Sequence, residues 1–144
     1  MEIAATCILP GTSQGKILAT RQPISFWGCV DPVTGMISDK RHELYQKSVS
    51  GRVLAFPFGK GSSTGSLMML ELLRLDLAPA AIINIHTEPL LATGPVVGKH
   101  FYQKSFPIVN VSESDFERFE TGPFAIIKSH PNGSLIQIQS SAGL

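Results

Sequence analysis

The chain has 144 residues, 43% of them hydrophobic and 16% charged, and its 12 Lys and Arg against 11 Asp and Glu leave a net charge of +1. One domain of that size buries roughly two-thirds of its unfolded surface and folds without disulfide or metal staples. The near-neutral charge, with no basic run or basic–aromatic patch, excludes a nucleic-acid footprint, and no apolar run reaches the roughly 18–20 residues of a membrane span.

The first residues lack the charged-then-apolar pattern of a secretory leader, so a cytoplasmic location is expected. The low share of charge points to a surface that meets a partner. Two cysteines, Cys7 and Cys29, and four histidines, His42, His86, His100 and His130, have no zinc-site spacing. Two thiols are also too few for an iron–sulfur cluster, which usually takes three or four. The chain alone is therefore expected to bind no metal, and its thiols to stay reduced.

In chain order, residues 1–9 read as a strand, Pro10-Gly11 as a turn and 15–20 as a second short strand. Ile24 and Phe26 open a strand that breaks at Gly28. Asp31-Pro32 and Gly35 carry turn chemistry, with 33–37 continuing beyond. Short strands at this spacing predict a β-rich first third, of the kind small barrels use. The polar segment 39–50 is a surface loop, and 51–58 is apolar and β-prone.

Residues 59–66 follow, with three glycines, three serines and a threonine, and then a helix running from Thr64 or Gly65 to Leu75. Ser63 or Thr64 can cap it. Apolar residues circle this helix, so it is predicted to be buried on most sides. The continuous apolar run 80–85 reads as a buried parallel strand, which completes a strand–helix–strand unit. Glu88 to Leu91 starts another short helix, and 106–111 is a further strand. Ser112 with Asp115 three positions on is a capped turn. Segments 124–128 and 134–139 form a hairpin around Pro131-Asn132-Gly133. The prediction is mixed α/β: helices cover a sheet, with a barrel-like β layer on another side.

The stretch 59–66 is where the chemistry is expected. A strand that ends in small residues and turns into a helix aims backbone N–H groups and the positive end of a helix dipole at one point. An ATP-type phosphate loop would need lysine after Gly65, where Ser66 stands. A dinucleotide fingerprint would need an acidic residue after the next strand, where Ile85 is followed by His86. A nucleophile elbow around Ser63 lacks a histidine partner other than His86. A serine base remains open, but a helix terminus supplies at most about 2 kcal/mol, roughly 1.5 pK units. Such a base needs a further cation: Lys60, an arginine, or a metal held by a partner. A tight connection with a capping serine accounts for the same residues.

Three motifs occur together: Ile24-Ser25-Phe26-Trp27-Gly28-Cys29-Val30-Asp31-Pro32, Gly59-Lys60-Gly61-Ser62-Ser63-Thr64-Gly65-Ser66 and Ala78-Pro79-Ala80-Ala81-Ile82. In this order and spacing they closely resemble the small subunit, or swivelling domain, of aconitase X enzymes, over about residues 15–106. The resemblance implies one swivelling β/β/α domain over 1–144, with its core at about 15–111 and the hairpin at 124–139, like the last domain of aconitase. It implies a hydro-lyase assembled with a large subunit that carries an iron–sulfur cluster or iron. Ser62 would be the proton-abstracting base, and Ser63, Thr64, Gly61 and Lys60 would touch substrate or stabilise its charge. Thr64 stands where aconitase has arginine, so a carboxylate clamp is missing or moved, which points away from citrate-like substrates.

Within the family the resemblance implies cis-3-hydroxy-L-proline as the hydroxy acid dehydrated, with mevalonate 5-phosphate as the alternative. Lys104-Ser105-Phe106-Pro107 looks like the first branch, and the Ser62-Ser63 pair like the second. Ser25, Phe26, Trp27 and Asp31 are candidates for lining the site or the subunit interface. Beside that role, an aromatic pair at a strand end reads as core, and Asp31 before Pro32 as a turn former. His86 reads as a surface residue. A non-catalytic module that docks a partner is the alternative of another class.

Overall fold

The computed structural model describes residues 1–59 and 63–139. Seven strands and four helices alternate along the chain: β1 (Glu2–Leu9), β2 (Gly11–Ala19), α1 (Phe26–Cys29), β3 (Val53–Ala55), α2 (Ser63–Arg74), β4 (Ala81–Asn84), α3 (Pro89–Tyr102), β5 (Ile108–Asn110), α4 (Glu113–Phe116), β6 (Phe124–Ser129) and β7 (Ser134–Gln139). The strands close into a barrel in the order β1-β5-β4-β3-β2-β6-β7. Strands β2, β3, β4 and β5 run parallel, and the remaining pairings are antiparallel. The short β3 and β4 are buried throughout, as expected of parallel strands covered on both faces.

Alternation along these strands divides the apolar side chains between two cores. Val53, Ala55, Ala81, Ile83 and Val109 point to the barrel interior, where they meet Ile3, Ile17, Ala125, Ile127 and Ile136. Leu18, Leu54, Phe56, Ile82 and Ile108 point outward against Met69, Leu72 and Leu73 of α2 and Leu91 of α3. This alternation follows from the period of two along a pleated strand.

The barrel does not belong to the first third of the chain. β1 and β2 do not pair with each other: β1 sits between β5 and β7, and β2 between β3 and β6. Pro10-Gly11 therefore turns a barrel corner rather than a hairpin. The strand expected at Ile24–Phe26 is reduced to one isolated parallel bridge, Ile24 to Gly59. The chain then enters α1, whose Gly28 at φ 87° interrupts the helical path.

The short helix expected at Glu88–Leu91 is the start of a 14-residue helix, α3, which runs through Gly94, Pro95 and Gly98. Those residues read as breakers in isolation. In the fold the glycines are where α3 crosses α2: a β-carbon on Gly94 would lie 2.9 Å from Met69 Cγ. Packing outweighs the intrinsic cost of glycine in a helix, about 1 kcal/mol each. The Ser112 cap is present, its hydroxyl accepting from the Asp115 N–H at 3.1 Å, and β6 and β7 pair as the expected hairpin. Among the described residues no helix is long and apolar enough to cross a membrane.

Candidate active site

The register aligns Ala19, Ala55, Ile83 and Val109 across the four parallel strands. Their carboxyl ends therefore share one rim, from which Thr20, Phe56, Asn84 and Asn110 emerge. Ligands of α/β sheets bind outside such ends. The glycine–serine stretch leaves from the middle of this rim, at the end of β3.

Its departure is braced on two sides. On one side the carbonyl of Pro57 accepts from the N–H groups of Ile85 and His86, at 3.0 and 3.2 Å. On the other Gly59 pairs with Ile24, and the ring of Phe26 meets that of Phe56 edge-on at 6.1 Å. Beyond the turn α2 begins at Ser63, with no acidic residue in its first turn to offset the positive end of its dipole. Ser66 ties α2 to α3 through a hydroxyl that donates to the carbonyl of Leu90.

The expected site residues separate clearly. Lys60, Gly61 and Ser62 lie outside the described residues, as does the side chain of Ser63. Thr64 is half-buried in the first turn of α2. Phe26 is in the core at 3% exposure, whereas Trp27 beside it is 58% exposed. Ser25 Oγ donates to the carbonyl of Trp27 at 2.9 Å and so shapes the loop that presents the indole. Asp31 closes a turn: its Oδ1 accepts from Val33 N–H at 2.9 Å and its carbonyl from Gly35 N–H at 2.8 Å. His86 is exposed beside Pro57.

Around the turn the surface is apolar. Phe58 before the glycine–serine stretch, Leu67 in α2 and Leu90 at the start of α3 stand 47%, 61% and 39% exposed, and Trp27 is exposed as well. Two cavities open in the described surface. One of about 220 Å³ is lined by Ser25, Trp27, Gly28, Cys29 and Arg41. The other, about 340 Å³ at the end of β2, is lined by Thr20, Arg21, Glu43 and Thr121. Arg21 is paired with Glu117 at 2.8 Å. In the wall of the first cavity, the backbone N–H of Arg41 is the main cause that holds the half-buried Asp39 carboxyl below its ordinary value, assisted by the Arg41 side chain.

Among the described residues no three His, Cys, Asp or Glu side chains lie together as a metal site. Cys29 is buried and Cys7 half-buried. Among the described residues the donors do not fit an iron or iron–sulfur group.

One set of polar residues escapes a reading of apolar runs. Asn84 ends β4 and Asn110 ends β5, and the two are paired in register. Both hydrogen-bond within the rim, Asn84 to Phe56 and Asn110 to Thr87. The available signal was an asparagine closing each of two otherwise apolar strands.

A family model described as the aconitase X swivel domain matches residues 2–138. The chain belongs to the aconitase X swivel-domain family. The swivel domain is 39% identical over 133 residues to a protein named phosphomevalonate dehydratase small subunit from Methanosarcina mazei, covering 92% of this chain and 81% of that one. It is 36% identical over 123 residues to the cis-3-hydroxy-L-proline dehydratase of Pseudomonas aeruginosa, covering 85% of this chain and 21% of that one. Its fold superposes on the crystal structure of Thermococcus kodakaraensis aconitase X in its holo form with a TM-score of 0.84 and 28% identity, over 97% of this chain and 99% of that chain. The Methanosarcina and Pseudomonas relatives are named dehydratases, that is, hydro-lyases.

Proposed function

We propose that this swivel domain is the small subunit of a two-subunit hydro-lyase that dehydrates mevalonate 5-phosphate. The observation that carries the reading is the match to the Methanosarcina mazei small subunit, 39% identical across most of both chains. The Ser62-Ser63 pair in the turn supports the same branch. The order of the two substrates is thus the reverse of the one expected from the motifs alone.

Ser62 is the base in this reading. The reaction removes a proton from the carbon next to the substrate carboxylate and a hydroxyl from the following carbon, leaving a carbon–carbon double bond and water. Ser62 Oγ receives the proton. Lys60 and the start of α2 offset the charge of the alkoxide that does so, and the N–H groups of the turn offset the charge that develops on substrate. Iron held by the large subunit, when bound, supplies Lewis-acid assistance to the departing hydroxyl. Trp27, Phe58, Leu67 and Leu90 face the large subunit, which closes over the rim and excludes water. Their exposure around the turn supports that assignment.

A second reading, dehydration of cis-3-hydroxy-L-proline, rests on the 36% identity to the Pseudomonas aeruginosa enzyme. The test is co-production of this chain with its large subunit under exclusion of oxygen, followed by dehydration assays on both substrates, with wild type and Ser62→Ala. Turnover of mevalonate 5-phosphate that falls about 10²–10⁴-fold in Ser62→Ala is the expected result. Turnover of hydroxyproline alone selects the second reading. A complex inert on both, or a Ser62→Ala complex of full activity, overturns the assignment of the base and returns the chain to a partner-docking role.

A further inference from the structure

Parallel pairing between β3 and β4 changes where β3 ends. Phe56 N–H donates to Ile83 O at 3.1 Å, as the ladder requires. The next rung of a parallel ladder would bring Ile85 N–H to the carbonyl of Phe56. That N–H goes instead to Pro57 O at 3.0 Å. The carbonyl of Phe56, in a fully buried residue, is left by the ladder. It is taken up by a side chain: Asn84 Nδ2 donates to it at 2.7 Å.

Asn84 has no exposed surface, so its amide must be satisfied on both sides or cost stability. Its Oδ1 accepts from Thr87 Oγ1 at 3.0 Å. The Thr87 hydroxyl in turn accepts from Asn110 Nδ2 at 2.7 Å. The direction of the chain is fixed from end to end: Asn110 to Thr87, Thr87 to Asn84, Asn84 to Phe56. Because the Phe56 carbonyl only accepts, the amide cannot be turned over without losing that contact. A leucine would suit an apolar strand better, and a buried amide at the end of β4, bonded to the neighbouring end of β3 from which the glycine–serine stretch departs, signals a purpose other than packing.

We propose that Asn84 is a positioning residue for the reaction. It holds the carbonyl of Phe56 out of the ladder, sets the one-residue slip at Pro57, and so fixes the direction in which the chain leaves β3 through Gly59. The proposal rests on the reading that the following turn carries the base.

Asn84→Asp tests it. Burial raises the pKa of a carboxyl, and the protonated acid keeps an O–H donor for Phe56, whereas the carboxylate repels that carbonyl. The correct backbone is therefore present at low pH and lost as pH rises through the raised pKa. In the full chain, amide exchange followed by NMR should show protection of His86 reduced about tenfold at alkaline pH and restored in acid, with Ile127 in β6 unchanged, since losing a hydrogen bond of this kind is worth about a factor of ten. In the two-subunit complex kcat should fall by about the same factor, with KM unchanged and the same recovery in acid. Thr87→Val removes only the hydroxyl that orients the amide and should move the same observables in the same direction at every pH; it serves if Asn84→Asp does not fold. Unchanged protection of His86 in a folded variant overturns the proposal, as does an unchanged kcat in an active complex. A wild-type complex inert on both substrates overturns the functional reading instead, and the exchange result still decides whether Asn84 sets the strand end.

Discussion

Gly98 of α3 lies directly beneath the carbonyl of Lys104: a β-carbon at Gly98 would come within 2.8 Å of that oxygen and 2.7 Å of Leu73 Cδ1. The leucine methyl can yield, but the backbone oxygen cannot do so cheaply. Lys104 N–H already donates to Gly98 O at 3.2 Å, so the two backbones are locked together as the helix ends. Alanine normally gains about 1 kcal/mol over glycine in a helix. Here Gly98→Ala should instead destabilise the chain by about 1–3 kcal/mol, the usual cost of overpacking, measured as a lower thermal midpoint with unchanged helix content.

Phe26 and Trp27 are neighbours with opposite fates. Phe26→Ala should cost about 3–5 kcal/mol of folding stability, because the ring is in the core against Phe56. Trp27→Ala should change the stability of the isolated chain by less than about 0.5 kcal/mol and yet weaken assembly with the large subunit by about 2 kcal/mol or more, as an exposed aromatic anchor does. Denaturant unfolding of the single chain and calorimetric titration of the pair separate the two effects. Full-affinity assembly of Trp27→Ala would remove the indole from the interface.

In the proposed mechanism Lys60 is the cation that the Ser62 alkoxide requires. Removing it in Lys60→Met should raise the pKa of Ser62, so the rising limb of kcat should move to higher pH by about one unit or more. Lys60→Arg should restore the wild-type profile. A Lys60→Met profile that keeps its position and only loses height would assign the lysine to substrate binding instead.

On the outer face of α2, Arg74 Nε donates to Glu71 Oε2 at 2.9 Å. That hydrogen bond holds the Glu71 carboxyl below its ordinary value. A folded-state pKa below the unfolded one means that the pair stabilises the chain above the unfolded value and that the contribution disappears as pH falls through the folded value. Both groups are solvated, so the effect is small. Thermal unfolding across the acid range should show a shallower loss of stability in Glu71→Gln than in wild type.

How much of this was legible in the sequence depends on the range of the forces involved. The β6–β7 hairpin, the Ser112 cap and the buried β4 were readable because His130-Pro131-Asn132-Gly133, Ser112 with Asp115, and Ala81-Ile82-Ile83 act on their own neighbours. The length of α3 was not readable, because Gly94 and Gly98 matter only once α2 lies against them. The separation of β1 from β2 was hidden for the same reason, since it is decided by β5, β6 and β7. At the site, the glycine–serine stretch announced itself by composition. The amide that braces its approach did not: the slip at Pro57 and the partner for Phe56 exist only in three dimensions. The inward turn of Phe26 and the outward turn of Trp27 were likewise set by Gly28 and by the Ile24–Gly59 bridge.

The barrel is closed by its outermost strands, with Glu2 paired to Gln137 and Ala5 to Ser134. On the ribosome β1 emerges first and must wait for almost the whole chain before its second neighbour exists. During that interval its edge, and that of β6, offer unpaired N–H and C=O groups to any other strand. Contacts this distant in sequence are made slowly. The barrel therefore closes only once β7 has been made, and a partner that meets the chain earlier meets an open sheet prone to mispairing.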